Sequence, residues 1–151
     1  MIVKIVDNTK EIVDETDLAT QRALEIIGGK MERYAKMLCP VGTPESTGIP
    51  GYMGGTLRNS ITYVTALHDG LTIEVKKGEA NPFVAYHGGK KVAAKTDEEN
   101  VVFVGTNVYY APYVELGTSK KAPRPFLKPS VSEHISEYRH ILANELKKVG
   151  K

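Results

Sequence analysis

Between Leu18 and Leu38 the apolar residues Leu18, Ala23, Leu24, Ile27, Met31, Tyr34 and Leu38 recur at helical spacing, with Gln21, Arg22, Glu25, Lys30, Glu32, Arg33 and Lys36 between them. This is the tightest constraint in the chain, because such a spacing lines up one apolar stripe that the remaining residues must cover. Thr16 or Asp17 is placed to cap the start of the helix, and Pro40 stops it by disfavouring helical geometry in the residue before it. Gly28-Gly29 falls inside the run. Two glycines cost a helix about 1 kcal/mol each relative to alanine, so a kink, a break or a closely packed neighbour is expected there.

The stretch Val41 to Thr56 is dominated by glycine and proline and reads as a long loop. It follows a helix and leads into a strand, the wrong setting for a phosphate-cradling loop. Ile61–Leu67 and Leu71–Lys76 then flank His68-Asp69-Gly70, where Asp-Gly predicts a hairpin turn. Phe83–Tyr86 and Lys90–Ala94 suggest a second hairpin through Gly88-Gly89. Val101–Tyr110 is the most strand-like run, and its apolar start suits a central strand. Pro112 makes Tyr113–Leu116 an edge strand or extended connection. A proline-rich loop, Ala122–Pro129, precedes a last helix carrying Val131, Ile135, Tyr138, Leu142, Leu146 and Val149, with Ser130 and Glu133 as a capping box. The order predicts an α+β fold over a single domain, residues 1–151: an N-terminal amphipathic helix, an antiparallel β-meander, and a C-terminal helix packed on the sheet.

Composition narrows the function classes. A chain of 151 residues with one cysteine, Cys39, cannot form an internal disulfide and is long enough to bury a core without one. Charge breaks the first residues before a signal-peptide core could form, and no apolar run approaches the roughly 18 residues of a membrane span. The expected setting is therefore a reducing interior, with no membrane partner. The net charge of +2 is far from that of a dedicated DNA-coating protein.

Catalytic signals are sparse. His68 and His87 sit at predicted turns, and His134 and His140 lie six apart, on opposite faces of a helix, so none is read as a metal ligand. Cys39 ends an apolar helix face, where a buried inert thiol is expected. No catalytic, cofactor-binding or metal site is assigned, and an enzyme is the last-ranked class. Glu115 is an acid in an apolar, aromatic setting, and a buried charge needs partners: backbone hydrogen bonds at a strand end, or an ion pair with Arg58 or Arg124. Between Glu115 and Glu133 there is no acid, while Lys120, Lys121, Arg124 and Lys128 are basic. Such a loop could touch nucleic-acid phosphates or an acidic partner surface.

Three blocks carry a likeness to a known family. They are Cys39-Pro40-Val41 followed by Gly55-Thr56-Leu57-Arg58-Asn59-Ser60-Ile61; Val104-Gly105-Thr106-Asn107 leading to Tyr110-Ala111-Pro112-Tyr113-Val114-Glu115-Leu116-Gly117-Thr118; and Arg124-Pro125-Phe126-Leu127-Lys128-Pro129 before the terminal helix. In that order they resemble the tail-completion, or head-tail joining, proteins of long-tailed bacteriophages, whose pattern is Tyr-Ala-x-Tyr-Val-Glu-x-Gly-Thr. The sequence departs from the commoner pattern in longer inserts at Gly42–Gly54 and Gly78–Asn100. The resemblance implies a structural protein of the virion neck, assembled in the bacterial cytoplasm, that forms a ring with its own copies. Its other partners would be head connector or stopper proteins and tail tube or terminator proteins. Tyr110, Tyr113, Glu115, Lys120, Lys121, Arg124 and Phe126 are then the candidate interface, and Arg58–Glu115 a candidate structural ion pair. The alternatives are a tail terminator, or a small nucleic-acid-binding module that uses the basic 120–128 loop; non-specific DNA contact is compatible with the neck role too.

Overall fold

A computed structural model of the chain describes residues 4, 9–48, 50–51, 54–78 and 90–151. Helix α1 runs unbroken over Thr9–Leu38, longer at its start than the capping residues suggested. Thr16 does not cap: its hydroxyl donates back to the Ile12 carbonyl at 2.7 Å, as Thr20 does to Thr16 at 2.9 Å. The helix does not split at Gly28-Gly29. Gly28 is buried beneath Tyr63, and a Cβ there would stand 2.2 Å from the ring. Close approach by a packed neighbour is the reason for that glycine, whereas Gly29 faces open space.

The 41–56 segment contains a short helix, α2 (Pro44–Thr47), that the loop reading missed. Thr43 and Ser46 cap it reciprocally, Pro44 starts it, and Gly48 ends it at φ 69°. Helix α3 (Thr56–Ser60) follows, and then strand β1 (Thr62–Val64). The chain reverses at Thr65–His68, one step before the expected Asp-Gly turn, because the Thr65 hydroxyl accepts the Leu67 and His68 amides at 3.2 and 3.0 Å.

Strand β2 (Gly70–Glu74) pairs antiparallel with β3 (Lys90–Ala94), and β1 pairs antiparallel with β4 (Phe103–Gly105). The strands thus form two ribbons in place of one meander of sequential neighbours. A parallel bridge, Val75 to Val108, ties them together, helped by the Thr72 hydroxyl, which donates to the Ser60 carbonyl at 2.6 Å and accepts the Asn107 amide at 3.3 Å. The expected strand Phe83–Tyr86 lies outside the described residues. The long strand expected over Val101–Tyr110 shortens to Phe103–Gly105, and Phe103 is exposed.

Three helices complete the chain: α4 (Ala111–Leu116), α5 (Leu127–Ser132) and α6 (Ile135–Leu146). Tyr113–Leu116 is therefore helical, not extended, since a proline in a first turn forfeits no intrahelical bond. The single last helix expected from the periodicity is two, broken at Glu133-His134. Ser130 makes no capping box; it is fully buried and donates to the Leu127 carbonyl at 2.6 Å, while its own carbonyl accepts the Tyr138 hydroxyl.

The fold is α+β, with α1 as its spine. Around the lower part of α1, Ala35 and Cys39 pack with Leu57, Ile61, Val75, Val108, Ala111 and Phe126. Further up, Ile27 and Met31 pack with Tyr138 of α6. The C-terminal helix thus lies chiefly on α1, and Val104 borders both clusters. Among the described residues no helix is long and apolar enough to cross a membrane.

Candidate functional site

The segment from Tyr110 to Ser130 is bonded to itself into one compact unit. Helix α4 ends at Gly117, φ 76°, where a Cβ would stand 2.7 Å from the Pro123 nitrogen, so only glycine fits. Thr118 to Lys121 then closes on itself. Thr118 N–H donates to the Lys121 carbonyl at 2.8 Å, and the Thr118 hydroxyl accepts the Lys120 and Lys121 amides at 3.2 and 3.1 Å. The Arg124 amide folds the loop back by donating to the Val114 carbonyl at 2.8 Å.

Glu115 locks the unit. Its carboxylate accepts the amides of Phe126 at 2.7 Å, Leu127 at 3.0 Å and Lys128 at 2.8 Å. These are leading donors of α5 that have no partner within the helix, and the next residue, Pro129, has no N–H to satisfy. One side chain therefore completes the first turn of α5, and the negative charge suits that helix end. Of the partners weighed for Glu115, backbone amides are the ones found, though on a helix and not at a strand end. Arg58 is not its partner: no ion pair joins them, and the carboxylate accepts the three amides instead.

Phe126 is corrected as well. Its side chain is 0% exposed, in the cluster with Ala35, Cys39 and Leu57, and cannot anchor a partner. Cys39 is buried in the same cluster, and desolvation pushes its thiol up to about 11. Tyr113 is 54% exposed and Leu116 76%, and Lys120, Lys121 and Arg124 are exposed beside them. Tyr110 is half-buried and packs edge-on against Tyr109, ring centroids 5.4 Å apart.

Two hollows flank α4. One, of about 780 Å³, brings Tyr110, Tyr113, Lys121 and Arg124 together with Leu57 and residues of α2. The other, of about 640 Å³, is mostly apolar and runs between Val75, Tyr109, Leu116 and Leu127.

Two polar clusters escaped the sequence reading, because their members are far apart in the chain. In the first, Tyr34 and His134 stack at 3.7 Å, and Glu137 accepts from Lys30 at 2.6 Å and from Tyr34 at 2.8 Å. Those bonds hold the Glu137 carboxyl below its ordinary range and raise the Lys30 ammonium. In the second, Tyr63 stacks on His68 at 4.2 Å, and Glu25 accepts from Tyr63 at 3.3 Å and from Thr65. His68 is thus packed, not a freely solvated turn residue. Both clusters fasten α1 to its neighbours, and the hollow beside Thr65 holds only about 10 Å³, too little for a substrate. Among the described residues no three His, Cys, Asp or Glu side chains gather as metal ligands. No family model, curated protein or solved structure matches the chain.

Proposed function

We propose that this chain is a structural, non-catalytic subunit of the neck of a long-tailed bacteriophage, joining tail to head through a ring of its own copies and contacts with connector and tail proteins. One observation carries the reading: the way the Tyr110–Thr118 motif divides in three dimensions. Ala111 is buried, Glu115 caps α5, Gly117 makes a turn only glycine fits, and Thr118 closes the basic loop. The two positions the family pattern leaves open, Pro112 and Leu116, are exposed. Of the specified residues Tyr113 and Thr118 are exposed; the Thr118 hydroxyl is engaged in closing the loop, while Tyr113, 54% exposed on a rigid frame beside an arginine, has the chemistry of an interface anchor.

The test is genetic. Deleting the gene from the phage that encodes it is expected to yield filled heads and finished tails that do not join; intact infectious particles would overturn the reading. A nucleic-acid-binding module is the second reading, favoured by Lys120, Lys121 and Arg124, which have no ion pairs among the described residues. That module would bind DNA with an affinity falling steeply with salt and lost when those three are neutralised. The neck reading expects weak binding at most.

A further inference from the structure

The row Ile12, Thr16, Ala19, Ala23, Ile27 runs along one face of α1 at helical spacing. Ala19, Ala23 and Ile27 are buried by the body of the protein, but the row continues beyond it: Ile12 is 43% exposed and its neighbour Val13 51%. Among the described residues the chain's contact with this stretch is the Gly150 amide, which donates to Glu15 Oε2 at 3.1 Å, and Ile12 and Val13 stay exposed, as suits an apolar face that takes a partner. It is also acidic. Over residues 9–18, Glu11, Asp14, Glu15 and Asp17 stand against Lys10, four acids and one lysine leaving −3. Among the described residues Glu11, Asp14 and Asp17 have no ion pair.

The groove beside α4 has the complementary character. Leu57, Val114 and Tyr113 give it apolar walls, Lys121 and Arg124 supply positive charge, and among the described residues no Asp or Glu lines it. Pro40 and Gly42 also line it, so it sits just past the C-terminal end of α1. At roughly 1.5 Å per residue, Ile12 is about 39 Å from Leu38 along the helix. A copy cannot fill its own groove.

We infer that residues 9–18 of one copy dock in the Tyr113–Lys121–Arg124 groove of a second copy, with Ile12 and Val13 against the apolar walls and Asp14 and Asp17 meeting Lys121 and Arg124. The contact joins two different surfaces at opposite ends of the molecule, so each added copy leaves one helix end and one groove free. Repetition of such a heterologous contact closes into a ring when the rotation allows. The inference rests on the reading of the chain as a self-assembling subunit and names the surfaces that meet.

Cysteine pairing tests it in the full-length protein. With Glu11→Cys beside Ile12 and Ala122→Cys at the groove in one chain, which leave Ile12 and Tyr113 in place, a short bis-maleimide should produce a ladder of covalent dimers, trimers and higher species. Either cysteine alone should leave monomers, since buried Cys39 is poorly placed to react. Adding Lys121→Glu and Arg124→Glu should abolish the ladder, and further adding Asp14→Lys and Asp17→Lys should restore it. All six positions are exposed, so each variant should keep the circular dichroism spectrum of the parent. Absence of a ladder, a ladder indifferent to charge reversal, or dimers from Glu11→Cys alone would overturn the contact. Failure of the neck reading is separable: a charge-dependent ladder from a protein whose deletion leaves particles intact would keep the contact and sink the neck role.

Discussion

The two ends of α1 meet opposite fates. At the C-terminal end, Ala35 and Cys39 are sealed under Phe126, Leu57 and Ala111, and the adjoining loop is pinned by amide bonds to Glu115, Val114 and Thr118. At the N-terminal end, residues 9–18 continue the same helix, but among the described residues Ile12 and Val13 stay exposed and the Gly150 amide's bond to Glu15 ties the stretch to the body. A single helical stripe therefore does two jobs. Where the chain supplies a cover it builds the core; where the described residues supply little, the same pattern stays exposed, at the end proposed above to dock on a second copy.

That contrast can be broken most forcefully at Phe126. Phe126→Ala should lower the free energy of unfolding by about 3–5 kcal/mol in a urea titration, the range for truncating a sealed aromatic. A loss below about 1 kcal/mol would mean that the C-terminal end of α1 is no better covered than the other.

The adjacent glycines sharpen the comparison within α1 itself. Gly28→Ala should destabilise by about 1–3 kcal/mol, because the added methyl collides with a Tyr63 ring held by His68 and Glu25. Gly29→Ala, in open space, should stabilise by about 0.4–1 kcal/mol. Equal effects at the two positions would refute the close approach.

Glu115→Gln should cost about 1–2 kcal/mol, since a neutral amide with one acceptor oxygen cannot serve three α5 amides as the carboxylate does. Glu137 gives a smaller effect with a definite sign. Its carboxyl is held below the ordinary 4.5 by hydrogen bonds from Lys30 and then Tyr34. A depressed carboxyl contributes stability above its unfolded value and loses it as pH falls through the folded value. The melting temperature of Glu137→Gln should thus lie below that of the parent at neutral pH, and the gap should close on acidification below about 4.5. At the uncovered end the effect should be smallest of all. Ile12→Ser with Val13→Ser should change unfolding by no more than about 0.5 kcal/mol while abolishing self-association.

The helix–strands–helix order was legible because α1, β2 and the terminal helices carry their period within a few residues of each other. Strand pairing was not: β1 finds β4 across the intervening ribbon, and the hydroxyl of Thr65, not Asp69-Gly70, fixes the turn. The short helices were hidden by prolines that signal loops in general yet are harmless in a first turn, as Pro44, Pro112 and Pro129 are. The Thr43-Pro44-Glu45-Ser46…Gly48 pattern contained the caps of α2 all along. For the site, the sequence marked Glu115 as needing partners and the 118–128 loop as basic. It could not show that Glu115 spends itself on α5, nor that Phe126 is core while Tyr113 stands out, because both depend on how the loop folds back over α4.

Complementation of unjoined particles tests the account most directly. Extracts of cells infected with the deletion phage would receive purified protein, and joined particles would be counted by electron microscopy and plaque titre. Wild-type protein should restore joining and infectivity, the Lys121→Glu, Arg124→Glu protein should not, and adding Asp14→Lys and Asp17→Lys to it should recover much of the loss. Heads and tails that join equally well without any added protein would contradict the account at its root.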